Sequence, residues 1–319
     1  MTATEALLDP VPPEEPGIFE PEYKKTWEQV ALFLFIVVPF AAVVAAVPVA
    51  WGWGLSWRDV VIAVVMYGLT GHGVTIGFHR HFTHKAFKAQ RWLQLVLAVC
   101  GMMAIQGPIL RWVADHRKHH RFSDHEGDPH SPWRYGRSVR ALVKGIFYSH
   151  VGWLFDPEQT STAKFAPDLV KDRAIRALSR AFPLWVIISM LAPPLVGGLW
   201  SWSWQGAATA FFWGSLVRVG LLYHVTFSIN SICHIVGRTP FKTKDRSRNV
   251  WWLAIPSMGE SWHNFHHAEP TSARHGVRLF EIDSSAAIIW VLERFRFVSE
   301  VRWPDRATIA RRLATAPGI

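Results

Sequence analysis

A chain of 319 residues that is half apolar, with 18 Trp and 20 Phe, is too oily for a routine soluble domain, and its formal charge is +10. The distribution of that charge argues against nucleic acid: of 34 Lys and Arg, 2 precede residue 30, 17 fall in 79–181 and 13 follow residue 230, with Arg58 and Arg218 apart. Two cysteines, Cys100 and Cys233, with no CxxC partner, exclude a disulfide framework and a cysteine-bound iron–sulfur cluster.

Residues 1–22, rich in Pro and Glu and without an apolar core segment, read as a disordered tail and not as a signal peptide. A bilayer crossing needs about 20 apolar residues, so the uncharged runs predict spans near 30–50, 58–78, 182–199 and 206–229. Pro193-Pro194, Gly197-Gly198 and the Trp-rich stretch 199–204 supply the break between the last two. If the uncharged run 92–110 also crossed, the histidine clusters flanking it would lie on opposite faces; it reads instead as an interfacial or re-entrant helix over about 91–110. Four crossings gather the three basic segments on one side, which the positive-inside rule makes cytoplasmic together with both termini. Residues 299–319 read as a C-terminal tail, leaving 23–298 as the membrane domain. The fold class is therefore all-α and integral to the membrane: four transmembrane helices capped by a cytoplasmic helical domain that carries three histidine boxes.

Those boxes are GFHRHFTH (His79, His81, His84), DHRKHH (His116, His119, His120) and HNFHH (His263, His266, His267), with His234 closing the fourth predicted span. On a helix, H-x-x-H-H places its three imidazoles on one face, and two copies 147 residues apart are hard to explain as solvated surface. In the first box, an unbroken helix at about 100° per residue sets His81 and His84 about 60° apart but His79 and His84 about 140° apart. Nitrogen ligation without thiolate suits Zn, Cu, Ni or Fe, and the donors outnumber what one ion uses, so two ions are the natural count. HEGDPH (125–130) is one residue too long for a zinc-protease HExxH, and Gly127 and Pro129 prevent its helix. ESWH (260–263) matches half of a di-iron carboxylate design but has no second copy. His72 and His224 lie inside apolar runs, where a hydrogen bond to a neighbouring helix competes with a direct role. His150 and His275 read as supporting or surface groups, and Arg218, costly in a bilayer, has no partner that the sequence names.

From about residue 20 to 295 the chain resembles the membrane fatty acid desaturases, above all a bacterial delta-9 acyl-CoA/acyl-lipid branch similar to the stearoyl-CoA desaturases. The motifs GFHRHFTHKAF, WVADHRKHHRFSD, GDPHSP, SHVGWLF, NSICH and GESWHNFHH carry it, in that order. The resemblance implies O2-dependent insertion of a cis double bond, at delta-9, into a saturated acyl chain carried as acyl-CoA or acyl-lipid. It implies two iron ions held by His79, His84, His116, His119, His120, His234, His263, His266 and His267, with Asn230 holding a metal-bound water. His81 is then the odd one out, and the helix should end or distort within RHFT so that His79 and His84 converge. Thr226 and Phe227 align with kink-forming positions of a bent acyl tunnel. Ligating imidazoles need their second N–H satisfied, and Asp115, Asp128 and Glu260 are the candidate partners, with Asp124 also near a box.

The chain departs from the animal acyl-CoA enzymes at Ala114, where they carry Arg, and in the longer, more basic segment WRYGRSVRALVKGIFY. The headgroup thus stays open among CoA, lipid and carrier protein. No fused electron carrier is visible, so a separate ferredoxin, small haem protein or flavin reductase is expected to dock on the cytoplasmic face of what would be a bacterial inner-membrane protein. Two other readings compete: a fatty acid or alkane hydroxylase of the same histidine-box superfamily, and a histidine-rich metal transporter. The transporter predicts ligands near the bilayer midplane, whereas the boxes fall at or beyond the span ends.

Overall fold

The uncharged run 30–50 is the centre of a single α-helix, Thr26–Gly52, in a computed structural model that describes residues 22–52 and 54–313. The tail expected over 1–22 lies outside the described residues except for Glu22, as do 314–319. Three more helices are long and apolar enough to cross a bilayer: Trp57–Thr83, Phe182–Ser201 and Trp204–His234. Val47, Val64, Leu191 and Leu195 stand exposed on these helices, as lipid-facing side chains do. The only sheets among the described residues are two-stranded, so the protein is an all-α integral membrane protein.

The second span begins at a capping box, in which the Ser56 side chain accepts from Asp59 N–H while the Asp59 carboxylate accepts from Ser56 N–H. After His72 its winding changes from α to π over Gly73–Thr83. The third span does not break at Pro193-Pro194 but continues to Ser201, and the turn falls at Trp202, in the left-handed region (φ 50°). The two prolines cannot donate to the carbonyls of Ser189 and Met190, four residues earlier. Those acceptors are taken up from the fourth span: Arg218 Nη2 donates to Ser189 O (3.2 Å) and Ser215 Oγ to Met190 O (2.8 Å). Arg218 also donates to Gly214 O (3.0 Å), Met103 O (3.3 Å) and Ser189 Oγ (2.9 Å), so the partners that the sequence withheld are three backbone oxygens and one hydroxyl.

The helix expected over 91–110 is shorter, Arg91–Met102, because Ile105 and Gly107 both adopt positive φ and Pro108 opens the next helix. It lies against the π-wound end of the second span. A Cβ on Gly73 would sit 2.3 Å from the backbone at Cys100 and Gly101, so only glycine allows the two backbones to approach. At 12 residues this helix is too short to cross a bilayer, and Ile109, at the start of the helix Ile109–Phe122, packs with Phe78 and Phe82 at the end of the second span. Arg117 fastens them: it donates to Phe82 O (2.7 Å) and pairs with Asp168 (2.6 Å).

Residues 299–313 are not a free tail. Val298–Ser299 pairs antiparallel with Lys88–Ala89, Arg302 N–H donates to Ala86 O (2.9 Å), and Lys242 N–H donates to Arg312 O (2.8 Å) beyond the helix Arg306–Arg312. Backbone pairing of this kind leaves no apolar periodicity to read.

Arg218→Leu should orphan the carbonyl of Ser189 at about 1–3 kcal/mol, while Met103 O keeps its bond from Ser189 Oγ (2.6 Å). The expected outcome is a lower midpoint of thermal unfolding in detergent; an unchanged midpoint would show that these bonds do not hold the prolines' helix.

Candidate metal centre

In a π-helix the hydrogen bond runs from residue i+5 to i, so residues five apart take the stacked relation that residues four apart have in an α-helix. His79 and His84 are such a pair: His84 N–H donates to His79 O (3.1 Å), and the two rings meet with centroids 4.8 Å apart. The geometric conflict in the first box is thus resolved by winding. His81 turns away from this pair, stacks on Phe87 (5.1 Å) and donates from Nδ1 to Phe87 O (3.2 Å).

The remaining imidazoles come from three elements. Ile109–Phe122 carries His116, His119 and His120; the short helix His263–Ala268 carries His263, His266 and His267; a 3-10 turn, Ile232–His234, ends the fourth span. The nine rings form two sets: His79, His84, His116, His120 and His266, and His119, His234, His263 and His267. Within each set one ligand nitrogen per residue lies within 4.8 Å of the others. Each H-x-x-H-H box divides the same way, its i and i+4 histidines serving one set and its i+3 histidine the other.

Four carboxylates fix the rings from behind. His79 Nδ1 lies 2.5 Å from Glu260, His119 Nδ1 3.0 Å from Asp128, His234 Nδ1 2.8 Å from Asp124, and His267 Nδ1 2.5 Å from Asp245. A proton held on Nδ1 leaves a lone pair on Nε2. The Nε2 atoms then crowd together: His263 Nε2 is 3.1 Å from that of His234 and 3.0 Å from that of His267, and His266 Nε2 is 3.0 Å from that of His79 and 2.9 Å from that of His120. His263 can donate to one neighbour at most, and the other contact sets lone pair against lone pair. Nε2 of His84 and of His119 is buried with no hydrogen-bond partner. Such a donor set fits a metal cation at the centre of each group.

Electrostatics keep the donors ready. Burial pulls the imidazoles of His84, His116, His120, His263 and His266 well below their ordinary range, and that of His267 in the same direction against the pull of Asp245. They are neutral at physiological pH, as ligation requires. Burial alone would raise Asp124, Asp128, Asp245 and Glu260, but the histidines beside them, with Arg80 for Glu260, outweigh it and hold all four below the usual carboxylate range.

Asp115 corrects an expectation: no bond joins it to a histidine, its carboxylate hydrogen-bonds Thr160 and answers to the charges of Arg111, Lys24 and Lys118, and burial raises its carboxyl. Thr226 and Asn230 line a cavity whose wall includes His79, His116 and His263, whereas Phe227 does not line it and packs instead on Tyr223 and His150. His72 is satisfied by Gly68 O (2.8 Å) and Ser284 Oγ (3.1 Å), and His224 pairs with His150 (3.0 Å). His275 is fully buried beside Glu260 (3.5 Å), not on the surface. Sequence reasoning missed Asp245 and Arg80. Asp245 sits in the polar stretch KTKDRSR, which carries no motif. Arg80, wholly buried between Glu260 and Asp283 (3.0 Å each), did have a signal, a charge entering an apolar run directly after His79.

The fold and this pair of histidine sets define a membrane oxidoreductase. The chain belongs to the fatty acid desaturase family, whose pattern it matches over residues 55–281. It is 35% identical over 317 residues (98% of this chain, 99% of the relative) to a hex-5-enoyl-(acyl-carrier protein) acetylenase of Moorena producens (strain JHB). It is 35% identical over 299 residues (92% and 90%) to delta-9 acyl-lipid desaturase 1 of Arabidopsis thaliana. Over 254 residues (79% and 86%) it is 35% identical to an sn-1 stearoyl-lipid 9-desaturase of Anabaena variabilis.

The division of the first box is directly testable. His79→Ala or His84→Ala should abolish activity and empty the first set while the second, which contains neither residue, keeps its metal, whereas His81→Leu should keep both. Asp245→Asn should lower metal affinity by roughly 10–100-fold, the usual cost of losing such a partner. A metal content in His84→Ala equal to that of the wild type, measured by elemental analysis, would contradict the assignment.

Proposed function

We propose that each histidine set holds one iron ion, that Asn230 holds a metal-bound water, and that the enzyme introduces a cis delta-9 double bond into a lipid-linked saturated acyl chain. The cavity carries this reading: it joins span residues Gly71, Val74, Leu222, Val225 and Ile229 to His79, His116 and His263, so an apolar chain from the bilayer can reach both sets. An unactivated methylene offers neither an acidic proton nor an electrophilic carbon, and iron, when bound, supplies the O2-activating chemistry that such a C–H bond needs.

The chain's own residues supply position. Methylenes are nearly equivalent chemically, so regioselectivity requires that the acyl chain be held with one pair beside the metals. Gln106 Nε2 donates to Thr226 Oγ1 (2.9 Å) and Trp112 Nε1 to Gln106 Oε1 (3.4 Å), while the Trp112 ring stacks on His116 (5.1 Å); these fix the wall next to the first set. Gly71 sits two helical turns before His79, where a Cβ would meet Met258 Cε at 2.3 Å and Leu222 Cδ1 at 3.5 Å. These three residues are read as the cavity's closed end. The named Arabidopsis and Anabaena relatives act on lipid-linked chains, and Ala114 lacks the charge of an acyl-CoA-type arginine, which supports a lipid headgroup. The positive-inside rule puts the histidines and their basic surroundings in the cytoplasm.

Expression in a host of defined lipid content, with mass spectrometry that locates double bonds, should show a loss of two hydrogens at C9–C10 of lipid acyl chains. A gain of oxygen instead would establish the hydroxylase reading. Gly71→Leu should shift the product toward shorter chains; an unchanged length distribution would place the end of the cavity elsewhere.

A further inference from the structure

One loop outside the acyl cavity's lining is bonded to the second histidine set. In residues 242–248, KTKDRSR, the single acid, Asp245, is spent on His267 Nδ1 (2.5 Å), and Arg246 N–H donates to the Asp124 carboxylate (2.9 Å) that holds His234. Ser247 N–H donates to the second oxygen of Asp245 (3.0 Å). Two histidines of the second set are thus tied through one carboxylate each to a loop whose Lys242 and Lys244 are exposed. None of His119, His234, His267 or Asp245 lines the acyl cavity.

The surroundings of the loop are strongly basic. Arg246 lies flat on the Trp133 ring (4.1 Å), and Trp133 Nε1 donates to His234 O (3.0 Å). Burial, and then the like charge of Arg137 and Arg248, pull the Arg246 guanidinium below its ordinary value. Arg137 is exposed and belongs to the segment between GDPHSP and the helix Val139–His150. Arg137, Arg246 and Arg248 therefore stand together, with the exposed Lys242 and Lys244 on the loop that carries Asp245, while the turn after Ile109–Phe122 adds one exposed acid, Glu126.

We propose that Lys242, Lys244, Arg246, Arg248 and Arg137 form the docking surface for a small acidic one-electron carrier protein, and that electrons enter the second histidine set through Asp245 and His267. This rests on the di-iron desaturase reading above. Reduction of O2 to two waters takes four electrons and four protons; removal of two hydrogens from the acyl chain supplies two of each. The remaining two electrons come singly from two reduced carriers in succession, and the last two protons come from solvent. Charge complementarity suits a partner that must dock fast and leave, because steering raises the encounter rate more than the residence time.

The test uses the full chain in lipid nanodiscs with its acyl substrate, driven either by dithionite or by a reduced acidic carrier, a plant-type [2Fe–2S] ferredoxin and a small acidic haem protein being tried in turn. The triple variant Lys242→Glu, Lys244→Glu, Arg137→Glu changes side chains that hold no histidine partner. The wild-type carrier-driven rate should fall steeply with ionic strength. The variant should raise the KM for carrier at least about tenfold and flatten that salt dependence, with kcat at saturation and the dithionite-driven yield unchanged. Unchanged carrier kinetics in the variant would overturn the proposal. So would a wild type that turns over with dithionite but with neither carrier, or a variant whose only change is its response to anionic lipid in the nanodisc, which would make the patch a membrane contact. A wild type that forms no product with dithionite would overturn the iron-desaturase reading instead.

Discussion

Nine buried or half-buried imidazoles, seven of them meeting Nε2 to Nε2, are the constraint around which the molecule is arranged. Neutral rings in this packing cannot satisfy each other, since a ring whose Nδ1 proton is held by a carboxylate has only a lone pair to offer at Nε2. Charged rings would repel one another and pay the cost of burial. Cations between them remove the conflict, and the carboxylates of Asp124, Asp128, Asp245 and Glu260 both orient the rings and balance the charge.

The membrane helices are shaped to deliver those rings. A regular α-helix would bring His81 and His84 together; π winding over Gly73–Thr83 substitutes His79, whose proper neighbours are Glu260 and, behind it, the buried Arg80. Gly73 lets the helix Arg91–Met102, which is too short to span, press against this unusual turn on the way to the second box. In the third span Arg218 and Ser215 take up the carbonyls left by Pro193 and Pro194, which keeps a proline-bearing helix straight enough to span. Irregular backbone and buried cations thus occur where a neighbouring helix supplies the missing hydrogen bonds.

Much of this was legible in the sequence. Apolar runs of bilayer length gave four spans, and repeated H-x-x-H-H gave two of the three boxes with their helical faces, because both signals are local. The choice of His79 over His81 was not local: helical spacing favoured the wrong pair, and only the family pattern pointed to a distortion. Asp245 was illegible because it meets His267 through the fold, from a loop 22 residues away whose composition reads as solvated surface. Asp115 misled for the converse reason, being next to His116 in sequence while its carboxylate is taken up by Thr160 and by the cations Arg111 and Lys24. The ordered segment 299–313 escaped notice since it is held by backbone pairing with residues 86–89, 242 and 273 and by a few scattered apolar contacts, from Val301, Trp303 and Ile309, that form no continuous stripe.

Two histidine sets, sharing the two H-x-x-H-H boxes between them, are the ground on which two metal ions are proposed. The most direct measurement is the metal content of the purified wild-type chain, with iron quantified against protein and the metal environment read by X-ray absorption. The account predicts two irons per chain in a shell of nitrogen and oxygen ligands without sulfur. A single iron per chain, or sulfur in the first shell, would contradict it.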